Sequence, residues 1–150
     1  MINRKNEIKI TANILGYLGV IPFIILPITI YFFYEKFKFL DLRLLHLVYS
    51  IIIINFLGGL HWGRIASEDN KHKVHDKFWL MISVIPSIAS CFLLFLDMKI
   101  SYIIIISLYF LFCFFDVYLV KRKIWSNWMK ILRINLSFCA ISSLTILLFI

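Results

Sequence analysis

The chain has 150 residues, 62% of them hydrophobic and 16% charged, with 16 Lys and Arg against 8 Asp and Glu. Soluble domains are less apolar and more highly charged, and a soluble fold this short would be left with a large adhesive surface, so the composition excludes that class and points to a protein dissolved in a bilayer. The net charge of +8 would suit a nucleic-acid binder, but the basic residues lie in short loops between apolar runs, where positive-inside topology accounts for them and no nucleic acid is implied.

Residues 1–13 are polar and basic, with Arg4, Lys5 and Lys9 against Glu7. The apolar run that follows is too long for the core of a signal peptide and no small-residue cleavage site ends it, so an uncleaved first span is expected over 14–34. Within it Gly16 and Gly19 admit close helix approach, Pro22 and Pro27 should bend the helix, and Tyr31 and Tyr34 suit an interface. Residues 35–43 form a charged loop. A second span is predicted over 44–65, followed by the most polar stretch of the chain, 67–77. The third span, 78–96, opens with Phe78-Trp79 and is interrupted by Pro86. Asp97-Met98-Lys99 reads as a tight turn into a fourth span, 100–120. Lys121-Arg122-Lys123 with Trp125 and Trp128 reads as a basic aromatic loop. The fifth span, 134–150, has 17 residues, enough for about 25 Å at 1.5 Å each.

These continuous apolar runs exclude the alternating segments of a membrane barrel. The expected fold is an all-α membrane protein, a single domain over 1–150 made of one bundle of five transmembrane helices. An odd number of spans without an internal repeat speaks against an inverted-repeat transporter. The N-terminus and the second and fourth loops hold 12 of the Lys and Arg residues and the other side holds 4. The N-terminus is therefore expected inside and the C-terminus outside, in the cell (inner) membrane of a bacterium or a mitochondrial inner membrane. Cys91, Cys113 and Cys139 lie in separate spans without a C-x-x-C and read as small buried hydrophobes.

The polar residues of the spans gather at one level. His61 lies roughly 6 Å before the end of the second span, Asp116 lies at a matching distance from the end of the fourth, and Arg133 stands at the threshold of the fifth with Asn135 just inside. Arg64 is close by. An unpaired carboxylate after Phe112-Cys113-Phe114-Phe115 would be costly, so Asp116 is expected to pair with Arg133 and to have His61 within hydrogen-bond reach. Such a cluster either fixes helix order or handles protons or a lipid headgroup. Around the second span, Asn55, Gly59 and Gly63 form a stripe four residues apart, the small-x-x-x-small pattern, and are expected to pack tightly on a neighbour. Gly58 and His61 lie on another side, with the imidazole about 160° from Gly59 at 100° per residue.

Other motifs point to less. His72-Lys73-Val74-His75 with Asp69 and Asp76 has loose spacing and flanking lysines, and reads as a solvated loop rather than a metal site. Ser83 and Ser87 beside Pro86 suit the capping of freed carbonyls. Trp62, Trp79, Trp125 and Trp128 fit an aromatic belt at one interface, with a ligand-stacking platform as the alternative. Gly58-Gly59 lies in an apolar helix and lacks the Lys-Ser/Thr of a phosphate loop. No catalytic residue, metal or cofactor is assigned.

The same residues carry a family resemblance. Leu15-Gly16-Tyr17-Leu18-Gly19-Val20-Ile21-Pro22-Phe23, Phe56-Leu57-Gly58-Gly59-Leu60-His61-Trp62-Gly63, Ser83-Val84-Ile85-Pro86-Ser87, Asp116, Trp128, Leu132-Arg133 and Leu136, in that order, resemble the DUF3429 family, a group of uncharacterised integral membrane proteins that includes transmembrane protein 69. Asn55 stands where that family usually has a small residue, and Met129 where an aromatic usually follows the tryptophan. The resemblance implies a membrane protein with this polar cluster as its shared feature, and no activity. The leading reading is a non-enzymatic structural, assembly or accessory membrane component, partnered by the bilayer and by a second copy or a membrane complex. The alternatives are a small proton-coupled transporter using His61 and Asp116, or an inner-leaflet lipid- or quinone-binding protein in which Arg64, Arg133 and the tryptophans hold a headgroup. A closed interior around His61 favours the first, a continuous polar channel the second, and a side opening to lipid the third.

Overall fold

The computed structural model of the protein describes residues 4–37, 40–67, 75–121 and 125–150, and all regular structure among them is helical. In chain order the helices are α1 (Arg4–Leu18), α2 (Ile21–Phe33), a 3-10 turn (Tyr34–Phe37), α3 (Leu42–Ala66), α4 (His75–Leu93), α5 (Met98–Lys121) and α6 (Asn127–Phe149). Among the described residues, four stretches are long and apolar enough to cross a membrane: Asn6–Phe33, which joins α1 and α2, then α3, α5 and α6. The apolar part of α4 is shorter, Lys77–Leu93; it would span about 25 Å at 1.5 Å per residue, against a hydrocarbon core of roughly 30 Å.

Helix ends follow local chemistry. The Asp41 side chain accepts a hydrogen bond from the Leu44 N–H at 2.9 Å and opens α3. Asp97 accepts from the Lys99 N–H at 2.9 Å, while the Ser101 hydroxyl donates to the Leu93 carbonyl at 2.6 Å, so the turn between α4 and α5 is bonded on both sides. Three expected boundaries are corrected. The first helix starts at Arg4, inside the polar, basic stretch expected to precede the first span. The third expected span ends at Leu93, because Leu94 to Leu96 make the turn. The fifth begins at Asn127 rather than 134, so Trp128, Lys130 and Arg133 are helical. Charge alone had marked them as loop, but Ser126, with extended backbone, starts the helix ahead of them.

The core lies between α2, α3, α5 and α6. α3 packs on α4, α5 and α2, and α6 on α5, α2 and α1. Ile54, Ile105, Phe112, Phe115 and Leu144 are fully enclosed, whereas Phe95 and Phe149 are 89% and 84% exposed. Large apolar side chains turned outward in such numbers suit acyl chains and would aggregate in water.

Proline sets the shape of the first span. Pro22 has no N–H for the carbonyl four residues back, and the helix breaks at Gly19-Val20. The Gly19 carbonyl is taken by the Tyr49 hydroxyl of α3 at 2.8 Å. Pro27 in turn frees the carbonyl of Phe23, which accepts from the Ser143 hydroxyl of α6 at 2.6 Å. Since that hydroxyl's proton is committed to Phe23, the 2.8 Å contact between His46 Nε2 and Ser143 Oγ requires the imidazole to donate. One carbonyl left free by a proline thus ties α2, α3 and α6 together at a buried point, as membrane helices require of released backbone groups.

Glycine 58 sets the α3–α4 approach. A Cβ there would sit 2.5 Å from the Ser83 carbonyl oxygen, a backbone atom of α4, and 3.7 Å from Pro86. Gly16 plays a milder part against α6, where a Cβ would meet Leu136 at 3.0 Å and Leu132 at 3.3 Å. The expected tight stripe is corrected: nothing lies within 4 Å of a Cβ at Gly59 or Gly63 among the described residues. The third member of that stripe, Asn55, does meet α4. Its amide donates to Ser90 Oγ at 2.9 Å. Spacing by four identified a stripe, but the direction from which α4 crosses α3 selected Gly58 and Asn55.

Candidate functional site

Of the candidate cluster residues His61, Asp116, Arg133, Arg64 and Asn55, the first three converge. His61 of α3, Asp116 of α5 and Arg133 of α6 are 0%, 0% and 3% exposed. His61 Nε2 lies 2.8 Å from Asp116 Oδ1. Arg133 Nε lies 2.8 Å from the same oxygen and donates to Oδ2 at 2.9 Å. Arg133 Nη2 is 3.4 Å from His61 Nε2.

Charge balance fixes the protons. One carboxylate neutralises one cation, so a charged imidazole beside the guanidinium would leave a net positive charge in an apolar core. The low-energy state is a neutral imidazole with its proton on Nε2, donated to Asp116. The carboxylate then accepts from both neighbours, and the 3.4 Å contact brings together two donors that share it. A single ion pair with one extra neutral donor therefore joins α3, α5 and α6.

Aromatic rings enclose this triad. The His61 ring is stacked on Phe115 at 4.4 Å and 19°, and on Trp125 at 5.3 Å and 18°. Trp79 of α4 stacks on Phe115 at 4.5 Å. The Arg133 Cζ lies 4.6 Å from the centre of the Trp125 ring, a cation–π contact in a desolvated setting. Trp125 reaches this place because the chain folds back after α5, its N–H meeting the Leu119 carbonyl at 3.4 Å. The four tryptophans expected at an interface differ in their packing. Trp79 and Trp125 pack inward on Phe115 and Leu119, while Trp62 is 49% exposed.

The other candidates fall elsewhere. Asn55 is six residues before His61, on the α4 side, and bonds Ser90. Arg64 is exposed in the last turn of α3 and lines an open groove with Gly63, Trp125 and Ser126. Asn135 is exposed. Ser83 is buried and donates to the Leu80 carbonyl at 2.6 Å, in its own helix, while Ser87 is exposed. Ser90, not singled out from the sequence, donates to the Pro86 carbonyl at 2.6 Å. Asp69 and His72-Lys73-Val74, like Arg122 and Lys123, lie outside the described residues.

With this geometry in view, the comparison with known families is decisive. The profile described as a protein of unknown function, DUF3429, matches residues 8–149. The chain belongs to the DUF3429 family. No curated protein and no solved structure matches it. The DUF3429 match spans α1 to α6, so it takes in the whole triad and its aromatic enclosure.

Sequence reasoning overlooked one buried group in this DUF3429 chain. His46 is 0% exposed, is edge-on to Phe23 at 5.6 Å and to Tyr102 at 6.0 Å, and bonds Ser143. Its signal was available: a lone histidine one turn into an apolar span, in a chain whose first span carries a mid-helix proline.

Proposed function

We propose that this DUF3429 protein is a non-enzymatic, multi-pass component of the bilayer whose ion-paired triad holds helices in order. It is neither a reaction centre nor a proton path. One observation carries this reading: His61 and Asp116 are wholly enclosed, sealed on both faces of the imidazole by Phe115 and Trp125. A proton-coupled carrier needs water at its titrating groups, and buried, mutually neutralised charges suit a fixed architecture better. Purified protein in liposomes, with a pH-sensitive dye inside and an imposed potential, should take up protons no faster than empty liposomes. A flux that His61→Phe abolishes would overturn the reading.

The orientation belongs to the same proposal. Most Lys and Arg lie at the end where α3 and α5 finish and where α4 and α6 begin. That end is placed on the cytoplasmic side of a bacterial inner membrane, or on the matrix side in a mitochondrion. A reporter active only in the cytoplasm should stay silent when fused after Ile150, and activity there would invert the topology.

A second reading, a lipid- or quinone-binding protein, has one specific observation in its favour: a cavity on the side of the bundle reaches Arg133.

A further inference from the structure

The cavity measures about 390 Å³ and is lined by α1, α2, α3, α5 and α6. Its lining includes Leu15, Phe56 and Leu60, which are 63%, 60% and 41% exposed and form the rim. It also includes Tyr109 and Arg133, 1% and 3% exposed, at its depth. Because the rim residues sit on helices that suit a membrane, the opening faces acyl chains rather than water. α1, which forms one lip, packs chiefly on α6, and the cavity is lined by α1 and α3 on facing sides.

Arg133 is the unusual member of this apolar lining. Its Nε is committed to Asp116, its Nη2 faces the donating His61 Nε2 at 3.4 Å, and Nη1 is buried without an acceptor among the described residues. A buried guanidinium nitrogen without an acceptor is costly and calls for one. The charge on Arg133, however, is already balanced by Asp116. The site offers hydrogen-bond donors and no surplus positive charge. A carboxylate or phosphate would bring an uncompensated negative charge into an apolar space, whereas a carbonyl oxygen would accept from the guanidinium without one.

We propose that this cavity is a lateral binding site for a neutral amphiphile with a carbonyl at its polar end, taken from the bilayer and anchored on Arg133. At roughly 30 Å³ per heavy atom with its hydrogens, the volume holds about a dozen such atoms. That is a substituted quinone ring or the ester end of an acylglycerol, with the remaining tail trailing between α1 and α3 into lipid. The size is at the lower end of the usual range for ligand sites. The site is separate from the architectural role of the triad, since loss of binding would leave the Asp116–Arg133 pair in place.

The test uses the purified full chain in detergent and intact-complex mass spectrometry with three probes: a benzoquinone bearing a ten-carbon tail, mono-oleoylglycerol and oleate. One of the two neutral probes should bind saturably at one per chain, and which one does identifies the natural source. Oleate should bind at least tenfold more weakly. Ala12→Phe, which fills the cavity from a half-buried position away from the triad, should weaken the neutral probe tenfold or more, and Ala12→Leu should weaken it less. Arg133→Lys keeps a cation for Asp116 and removes Nη1, and should also weaken binding about tenfold; the Ala12 pair decides the question if that variant does not fold. The proposal is overturned if neither neutral probe saturates, if oleate binds more tightly than both, or if Ala12→Phe leaves binding unchanged.

Discussion

Asp116→Ala should destabilise the folded bundle by about 3–5 kcal/mol, the usual consequence of removing one partner from a buried ion pair. The loss comes from what remains. Arg133, 3% exposed, would keep its charge without a counter-charge, and the His61 N–H would lose its acceptor. Asp116→Asn should lose less, because the amide oxygen can still accept one of the two hydrogen bonds. The informative variant is the double replacement Asp116→Leu with Arg133→Leu, which removes both charges and leaves apolar volume. It should recover most of the stability lost in Asp116→Ala, since a well-packed apolar pair often equals a buried ionic one. Thermal unfolding in detergent, followed by helical ellipticity and by size-exclusion monodispersity, measures all three. If Asp116→Ala and the double variant unfold at the same temperature, the carboxylate and guanidinium are not coupled, and the account of the triad as a helix lock is wrong.

The second large effect is expected at Gly58. A Cβ at that position would stand 2.5 Å from a backbone carbonyl of α4, and the obstacle is a main-chain atom that cannot rotate away. Gly58→Ala must push α3 and α4 apart, straining the Asn55–Ser90 bond one turn earlier. Overpacking of this kind costs typically about 1–3 kcal/mol, which exceeds the gain of up to about 1 kcal/mol from replacing a helical glycine by alanine. At Gly59 and Gly63 no described residue opposes that gain, so Gly59→Ala and Gly63→Ala should be neutral or slightly stabilising. The same unfolding assay separates the two classes. A loss at Gly59 or Gly63 that depends on protein concentration would instead show that a second copy covers that face.

Much of this arrangement was legible in the linear sequence. Long apolar runs broken by short basic loops gave the helical membrane class, because the bilayer demands continuous apolar length and internal backbone bonding. Distance along each run gave the common depth of His61, Asp116 and Arg133, since rise per residue is constant in a helix. A carboxylate stranded among phenylalanines required a cation, and Arg133 was within reach. The Gly58–His61 region was singled out and Gly58 was among the expected packing glycines, but the tight stripe was drawn through Gly59 and Gly63.

What the sequence left open was direction around each helix axis. Residue spacing gives relative angles on one helix, but only the neighbours decide which angle is buried. The crossing of α4 over α3 therefore made Gly58 the contact point and left Gly59 and Gly63 facing a groove. The fold-back after α5 laid Trp125 over the imidazole. The demand of one proline-freed carbonyl in α2 drew Ser143 and His46 into a bond that joins residues 97 positions apart. Length and polarity are properties of a chain taken one residue at a time, whereas these contacts depend on how the helices tilt and rotate together to fill space.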